Sequence, residues 1–217
     1  MRTPPAPRPR AGFTVLELLI TVVLFLGVLG AFALASQTGV DAYEESKIRG
    51  DLTQGANRVV ERMCRELAGA GASRFDPMPT GPFGSSSLSY EQSAGWDGGE
   101  VQWADEVRFE WRRDAGEADN GADDDGDELV DEGAIVMILR PGEADEETVV
   151  LAHDVAEHLE GEERDGDDDN DNGLIDEGGL SFVLDGEILT VRVTLVARSA
   201  DDRTLFKTVE SSVFVRN

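Results

Sequence analysis

The chain has 217 residues, 40% of them hydrophobic, which suffices for one packed domain plus an appendage and excludes a wholly disordered protein. Its formal net charge is -26 at pH 7, a field that repels phosphate backbones, so nucleic acid is disfavoured as a partner and cations are favoured. Cys64 is the only cysteine, which excludes an intramolecular disulfide and a cysteine-ligated zinc and leaves the thiol as a small hydrophobe in a helical pattern.

Residues 1–12 contain Arg2, Arg8, Arg10 and four of the eight prolines, and read as a basic leader held on the cytoplasmic side of a membrane. Over residues 13–35 the only charged side chain is Glu17. As a helix that segment spans roughly 35 Å, enough to cross a bilayer, and places the remaining chain outside the cytoplasm. "AFALAS" at 31–36 could serve as a secretory cleavage site, but Glu17 argues against an ordinary signal peptide. A carboxylate inside hydrocarbon costs roughly 2.5–3.5 kcal/mol on insertion scales unless it is paired. An amine made by cutting the chain just upstream would supply the partner.

"RAG" followed by "FTVLELLITVVLFLGV" resembles the class III signal of type IV pilins. The resemblance implies that a prepilin peptidase cuts between Gly12 and Phe13, that Phe13 is methylated, and that the apolar helix stays in the mature protein. It also implies that Glu17, then the fifth residue, meets the N-terminal amine of a neighbouring subunit and sets register in a fibre. The chain departs from many major pilins in having no proline around Leu34.

Residues 36–70 read as an amphipathic continuation of the helix. Leu52, Ala56, Val59, Met63 and Leu67 fall on one stripe, and Glu61 precedes Arg65 at the favourable i, i+4 spacing. Gly50 and Gly55 weaken it by about 1 kcal/mol each relative to Ala, and "AGAGAS" at 68–73 is a stop signal. The pilin resemblance likewise implies a long N-terminal helix, half in the membrane and half packed on a globular domain.

Residues 74–217 are expected to form a β-rich globular domain. Residues 74–99 are rich in Pro, Gly and Ser and predict loops with a short strand near "SLSYEQ". Beyond them the period becomes two, and strands are predicted at 106–111, 134–140, 147–152, 180–184, 187–198 and 204–216. "DG" at 185–186 and "SADD" at 199–202 are hairpin turns. The expected fold class is α+β, a helix packed on an antiparallel sheet. The segment from Val191 to Asn217 is similar to the closing hairpin of minor pilins of the W type and of the J-type pseudopilin of type II secretion, and "ANRVVERMCRELAGAG" is similar to the late helix of the W type.

Two acidic loops carry most of the charge: 114–132, with ten acids and no base, and 157–178, with eleven acids and one Arg. "DDDGDELVDEG" (123–133) and "DDNDNGLIDEG" (168–178) repeat with a shift of 45 residues. Asp168, Asn170, Asn172 and Asp176, and in the first copy Asp123, Asp125, Asp127 and Asp131, resemble positions 1, 3, 5 and 9 of an EF-hand or dockerin calcium loop. Oxygen donors without His or Cys suit calcium. Position 12, normally a bidentate Glu, is Ala134 in the first copy and Gly179 in the second, and Glu128 stands at position 6 where the second copy has Gly173. Glu132 and Glu177, at position 10, are candidate substitutes. The expectation is a pair of weak calcium sites, with Kd of roughly 10⁻⁴ to 10⁻³ M, that order the loops once the domain reaches calcium outside the cytoplasm.

No catalytic constellation is recognisable. The acid pairs lie in mutually solvated runs with nothing to separate their pKa values, and His153 and His158 read as ordinary surface or edge residues. The expected function is therefore a non-enzymatic minor pilin or pseudopilin of the inner membrane, with other pilins or pseudopilins, the prepilin peptidase and the membrane as partners. The alternative is a membrane-anchored, calcium-dependent adhesin that never polymerises, and it needs no cut after Gly12.

Overall fold

The computed structural model describes residues 14–215, so Gly12 and Phe13 lie outside the described residues. Helix α1 runs Val15–Leu67. Its part up to Tyr43 is a unit by itself, and Glu44 onward belongs to a second unit. In the first unit Leu16, Leu18, Leu19, Val23, Phe25, Phe32 and their apolar neighbours are exposed around the whole helix. A helix apolar on every side is built for an apolar surround, and α1 is long and apolar enough to span a membrane.

In the second unit the helix becomes one-sided. Leu52, Ala56, Val59, Val60, Met63 and Leu67 are buried, which is the predicted stripe with Val60 added. The helix runs through Gly50 and Gly55 without interruption. At Gly55 a Cβ would lie 3.0 Å from Leu195 Cδ1, so the glycine admits the sheet to the helix surface. Past Leu67 the chain turns, and the Gln92 side-chain amide donates to the Glu66 carbonyl (2.7 Å), satisfying one of the orphan carbonyls of the last turn.

Nine strands follow among the described residues: β1 (Ser87–Tyr90), β2 (Ser93–Asp97), β3 (Glu100–Trp103), β4 (Val107–Arg113), β5 (Gly133–Leu139), β6 (Glu147–Val155), β7 (Leu180–Asp185), β8 (Ile188–Arg198) and β9 (Thr204–Phe214). Seven of them form one sheet in the order β1-β4-β5-β6-β8-β7 with β9 also on β8, and every pairing is antiparallel. The fold is α+β. On β8, Leu189, Val191, Val193 and Leu195 point into the core under the helix, beside the stacked rings of Tyr90, Phe109 and Phe182 (centroids 5.4 and 6.4 Å apart). The sequence reads residues 93–99 as loop, whereas β2 and β3 make a separate small hairpin there. Gly98 and Gly99, both at positive φ, form its turn, and the short, glycine-containing strands carry too little alternation to announce themselves.

The sheet also explains where the acidic loops stand. β9 lines one edge of β8, while β7 and the end of β6 share the other, β7 along Ile188–Val193 and β6 at Leu195. Thr194 joins them: its carbonyl accepts from Ala156 N (3.0 Å) and its N–H donates to the Gly179 carbonyl (2.7 Å). The second acidic loop leaves the sheet between Ala156 and Gly179. The first leaves between β4 and β5, and Gly133 at its base is paired with Val155, so the two loops spring from adjacent strand ends. A Cβ on Gly179 would collide with the Ala156 carbonyl. Gly179→Ala is accordingly expected to lower unfolding stability by about 2 kcal/mol, measured by thermal or denaturant unfolding of the full chain in detergent.

Candidate metal centre

The two loops are one structure built twice, and the duplication reaches further back than the sequence alignment of 123–133 with 168–178. Asp114 N donates to the Glu132 carbonyl, as Leu159 N does to that of Glu177; Glu117 N donates to the Asp114 carbonyl, as Glu162 N does to that of Leu159. Backbone signs match as well: positive φ occurs at Gly116, Gly121, Gly126, Glu128 and Asp131, and 45 residues on at Gly161, Gly166, Asp171, Gly173 and Asp176. Gly173 occupies without strain the left-handed position that Glu128 must adopt with a side chain.

Short polar side chains impose this shape, because the loop amides have no ladder to join. Asp123 accepts from Gly126 N (2.6 Å) and Glu128 N (2.9 Å), Asp125 from Asp127 N (3.1 Å), and Asp127 from Leu129 N (2.8 Å). The second copy repeats the scheme, with Asp168 accepting from Asn172 N and Gly173 N, Asn170 from Asn172 N, and Asn172 from Leu174 N. Such side chain to backbone bonds are the ordinary turn chemistry of Asp and Asn.

The predicted ligands are not all brought together. Asp123, Asp125 and Asp127 converge with carboxylate oxygens within 4.8 Å of one another, and Asp125 falls within the same limit of Glu117 and Glu132. Asp131 belongs instead to a group with Asp119 and Glu157. Its oxygens accept from Asn120 N (3.2 Å), Gly121 N (2.7 Å) and the Arg113 guanidinium (3.0 Å). Asp176 likewise accepts from Asp165 N and Gly166 N. Arg113 also reaches Glu157 (2.8 Å) and so joins the bases of the two loops.

Glu117 and Glu162 are absent from the sequence reading. Glu117 organises its loop by accepting from Asp124 N, Asp125 N and Asp131 N, and Glu162 accepts from Asn170 N. The signal that could have found them is the "GE" pair at 116–117 and 161–162, which recurs at the same spacing of 45.

Glu132 is the chemical anomaly. It is 0% exposed, and neither carboxylate oxygen has a hydrogen-bond partner among the described residues. Burial, reinforced by the like charges of Asp127, Glu117 and Asp125, pushes its carboxyl up to about 7. Glu177, equally buried, is satisfied by Asn172 Nδ2 (2.5 Å) and Arg192 (3.1 Å). Oxygen-only acidic groups of this kind fit a hard divalent cation, and the orphaned Glu132 oxygens are the sign that the residues present suit one.

No family model, curated protein or solved structure matches this chain.

Glu17, the other residue singled out by sequence, closes a capping box with Thr14. Thr14 N and Oγ1 donate to Glu17 Oε2 (2.9 and 3.0 Å), and Glu17 N donates back to Thr14 Oγ1 (3.2 Å). "TVLE" carries the S/T-x-x-E pattern, so this local role was readable. Both side-chain bonds end on one oxygen and neither neutralises the charge.

The Glu132 geometry has a pH signature. A carboxyl raised by folding from its ordinary value of 4.5 to about 7 contributes stability below about 4.5 that is lost as the pH rises through about 7. In cation-free protein Glu132→Gln is therefore expected to melt higher than wild type at pH 8, with the gap closing as the pH falls toward 4.5. Thermal unfolding across that range in chelator checks it.

Proposed function

We propose that this chain is a minor pilin or pseudopilin: a non-catalytic subunit that enters a fibre through its N-terminal helix and displays a cation-ordered α+β domain outside the cytoplasm. The observation that carries the reading is the helix beginning at Val15, apolar on all sides with Glu17 as its one acid over the membrane-length stretch, directly after the Gly12-Phe13 junction. The one-sided burial of Leu52 to Leu67 against an antiparallel sheet supports it, since a pilin-like subunit joins an apolar rod to such a domain.

In this reading the prepilin peptidase cuts after Gly12, the chain stays in the inner membrane as a single pass, and the new Phe13 amine of one subunit neutralises Glu17 of another. The capping box holds the carboxylate at the helix start, and the amine supplies the charge that Thr14 does not. The partners are other pilins or pseudopilins, the peptidase and the membrane, and calcium is the cation proposed for the acidic loops. The loops are mostly exposed and carry a concentrated negative charge, which disfavours capture of nucleic acid.

Two substitutions separate the charge of Glu17 from its cap. Glu17→Gln keeps an oxygen for Thr14 and loses the charge; Glu17→Leu loses both. In cells carrying the peptidase and the other fibre subunits, both variants are expected to be processed, yet to appear in sheared fibres about tenfold less than wild type. Quantitative immunoblotting of the fibre fraction measures this. Wild-type incorporation of Glu17→Gln would remove the amine pairing from the account.

A further inference from the structure

The two copies of the acidic loop share a backbone and differ in charge, and the difference falls on the buried carboxylate. In the first copy the corresponding set is Glu117, Asp123, Asp125, Asp127 and Glu132, all acids. In the second it is Glu162, Asp168, Asn170, Asn172 and Glu177, with amides at the two central positions. Position 127 is decisive. Asn172 turns its oxygen to Leu174 N and gives its Nδ2 to Glu177. Asp127 makes the same turn with Leu129 N but has no N–H to give, so Glu132 has neither the amide nor an arginine.

We propose that the first loop is a calcium-sized divalent-cation site with Glu117, Asp123, Asp125, Asp127 and Glu132 as its carboxylate ligands, and that in the second loop Arg192 takes over at Glu177 the compensation the ion supplies at Glu132. The inference rests on the cation-binding reading above and gives it a ligand set and an order of affinity. Its independent support is the pair of Glu132 oxygens, fully buried and without a partner among the described residues, one of them within 4.8 Å of an oxygen of Glu117 and of Asp125. Carboxylates that far apart can share one ion at the calcium–oxygen distance of about 2.4 Å. Asp131 is a positioning residue here: it is paired with the Arg113 guanidinium (3.0 Å) and groups with Asp119 and Glu157, apart from these five carboxylates. The second loop retains three acids of the five and an internal cation 3.1 Å from the buried one, so it binds a divalent ion more weakly, affinity in such loops following ligand charge.

The test is calcium titration of the full chain in detergent after stripping with EGTA, followed by calorimetry, on wild type and on Glu132→Gln, Asp125→Asn and Asp168→Asn. Wild type is expected to show one tighter site. Glu132→Gln and Asp125→Asn should each weaken it about tenfold or more, while Asp168→Asn leaves it within about twofold. Asp125 is exposed, so its variant keeps the test valid if Glu132→Gln folds poorly. Calcium binding that Asp168→Asn weakens and the first-loop variants do not would overturn the ligand assignment and leave the cation reading standing. Absence of calcium binding by wild type would overturn both, and leave the fibre reading untouched.

Discussion

A carboxylate taken out of water must find a proton, a hydrogen-bonded cation or a metal, and this constraint recurs at each feature that sets the chain apart from an ordinary helix-on-sheet domain. Removing such a charge from solvent costs several kcal/mol, more than any single surface ion pair returns. Glu177 meets the constraint inside the chain, through Arg192 and Asn172. Glu132 does not, although it stands at the same point of a duplicated loop. Glu17 meets it in part: its hydrogen bonds come from Thr14, and its charge has to be answered from outside the helix if that helix lies in a membrane.

The fold serves to bring these groups to their places. The helix supplies two different surfaces in succession, one apolar all round and one striped, and the stripe closes the core over β8 and the aromatic stack. With the core sealed there, β8 can accept β6 and β7 along one edge, and the ends of β4, β5, β6 and β7 emerge next to one another. The acidic loops are insertions at those ends. Arg113 tethers both bases through Asp131 and Glu157, so roughly twenty like charges are held close by a scaffold that offers few cations. Repulsion on that scale is what a bound divalent ion would relieve.

Much of this is legible in the sequence. The stripe from Leu52 to Leu67 is buried as its period demands, and the alternation of β8 puts Leu189, Val191, Val193 and Leu195 inside, because a long run of either period overrides local accidents such as Gly50 and Gly55. The α+β class follows from those two patterns. The β2–β3 hairpin was not legible, since five residues with an internal glycine present no face to bury. At the loops, residue types and spacing pointed to Asp131 and Asp176 by analogy with a calcium loop and offered Glu132 as a substitute at position 10, while the geometry directs both aspartates to neighbouring backbone amides and adds Glu117. Burial of Glu132 and the sparing of Glu177 by Arg192 depend on contacts across the sheet, which linear spacing does not encode. The reach of the repeat back to Glu117 and Glu162 is written in the sequence itself, as the Gly-Glu pairs at 116–117 and 161–162.

The central claim is that Glu17 is answered by an amine that the chain acquires on processing, and the state of the N-terminus tests it most directly. Intact mass and N-terminal sequencing of the protein extracted from its native envelope should find a chain that begins at Phe13, carrying one methyl group. A chain that still begins at Met1 would contradict the account.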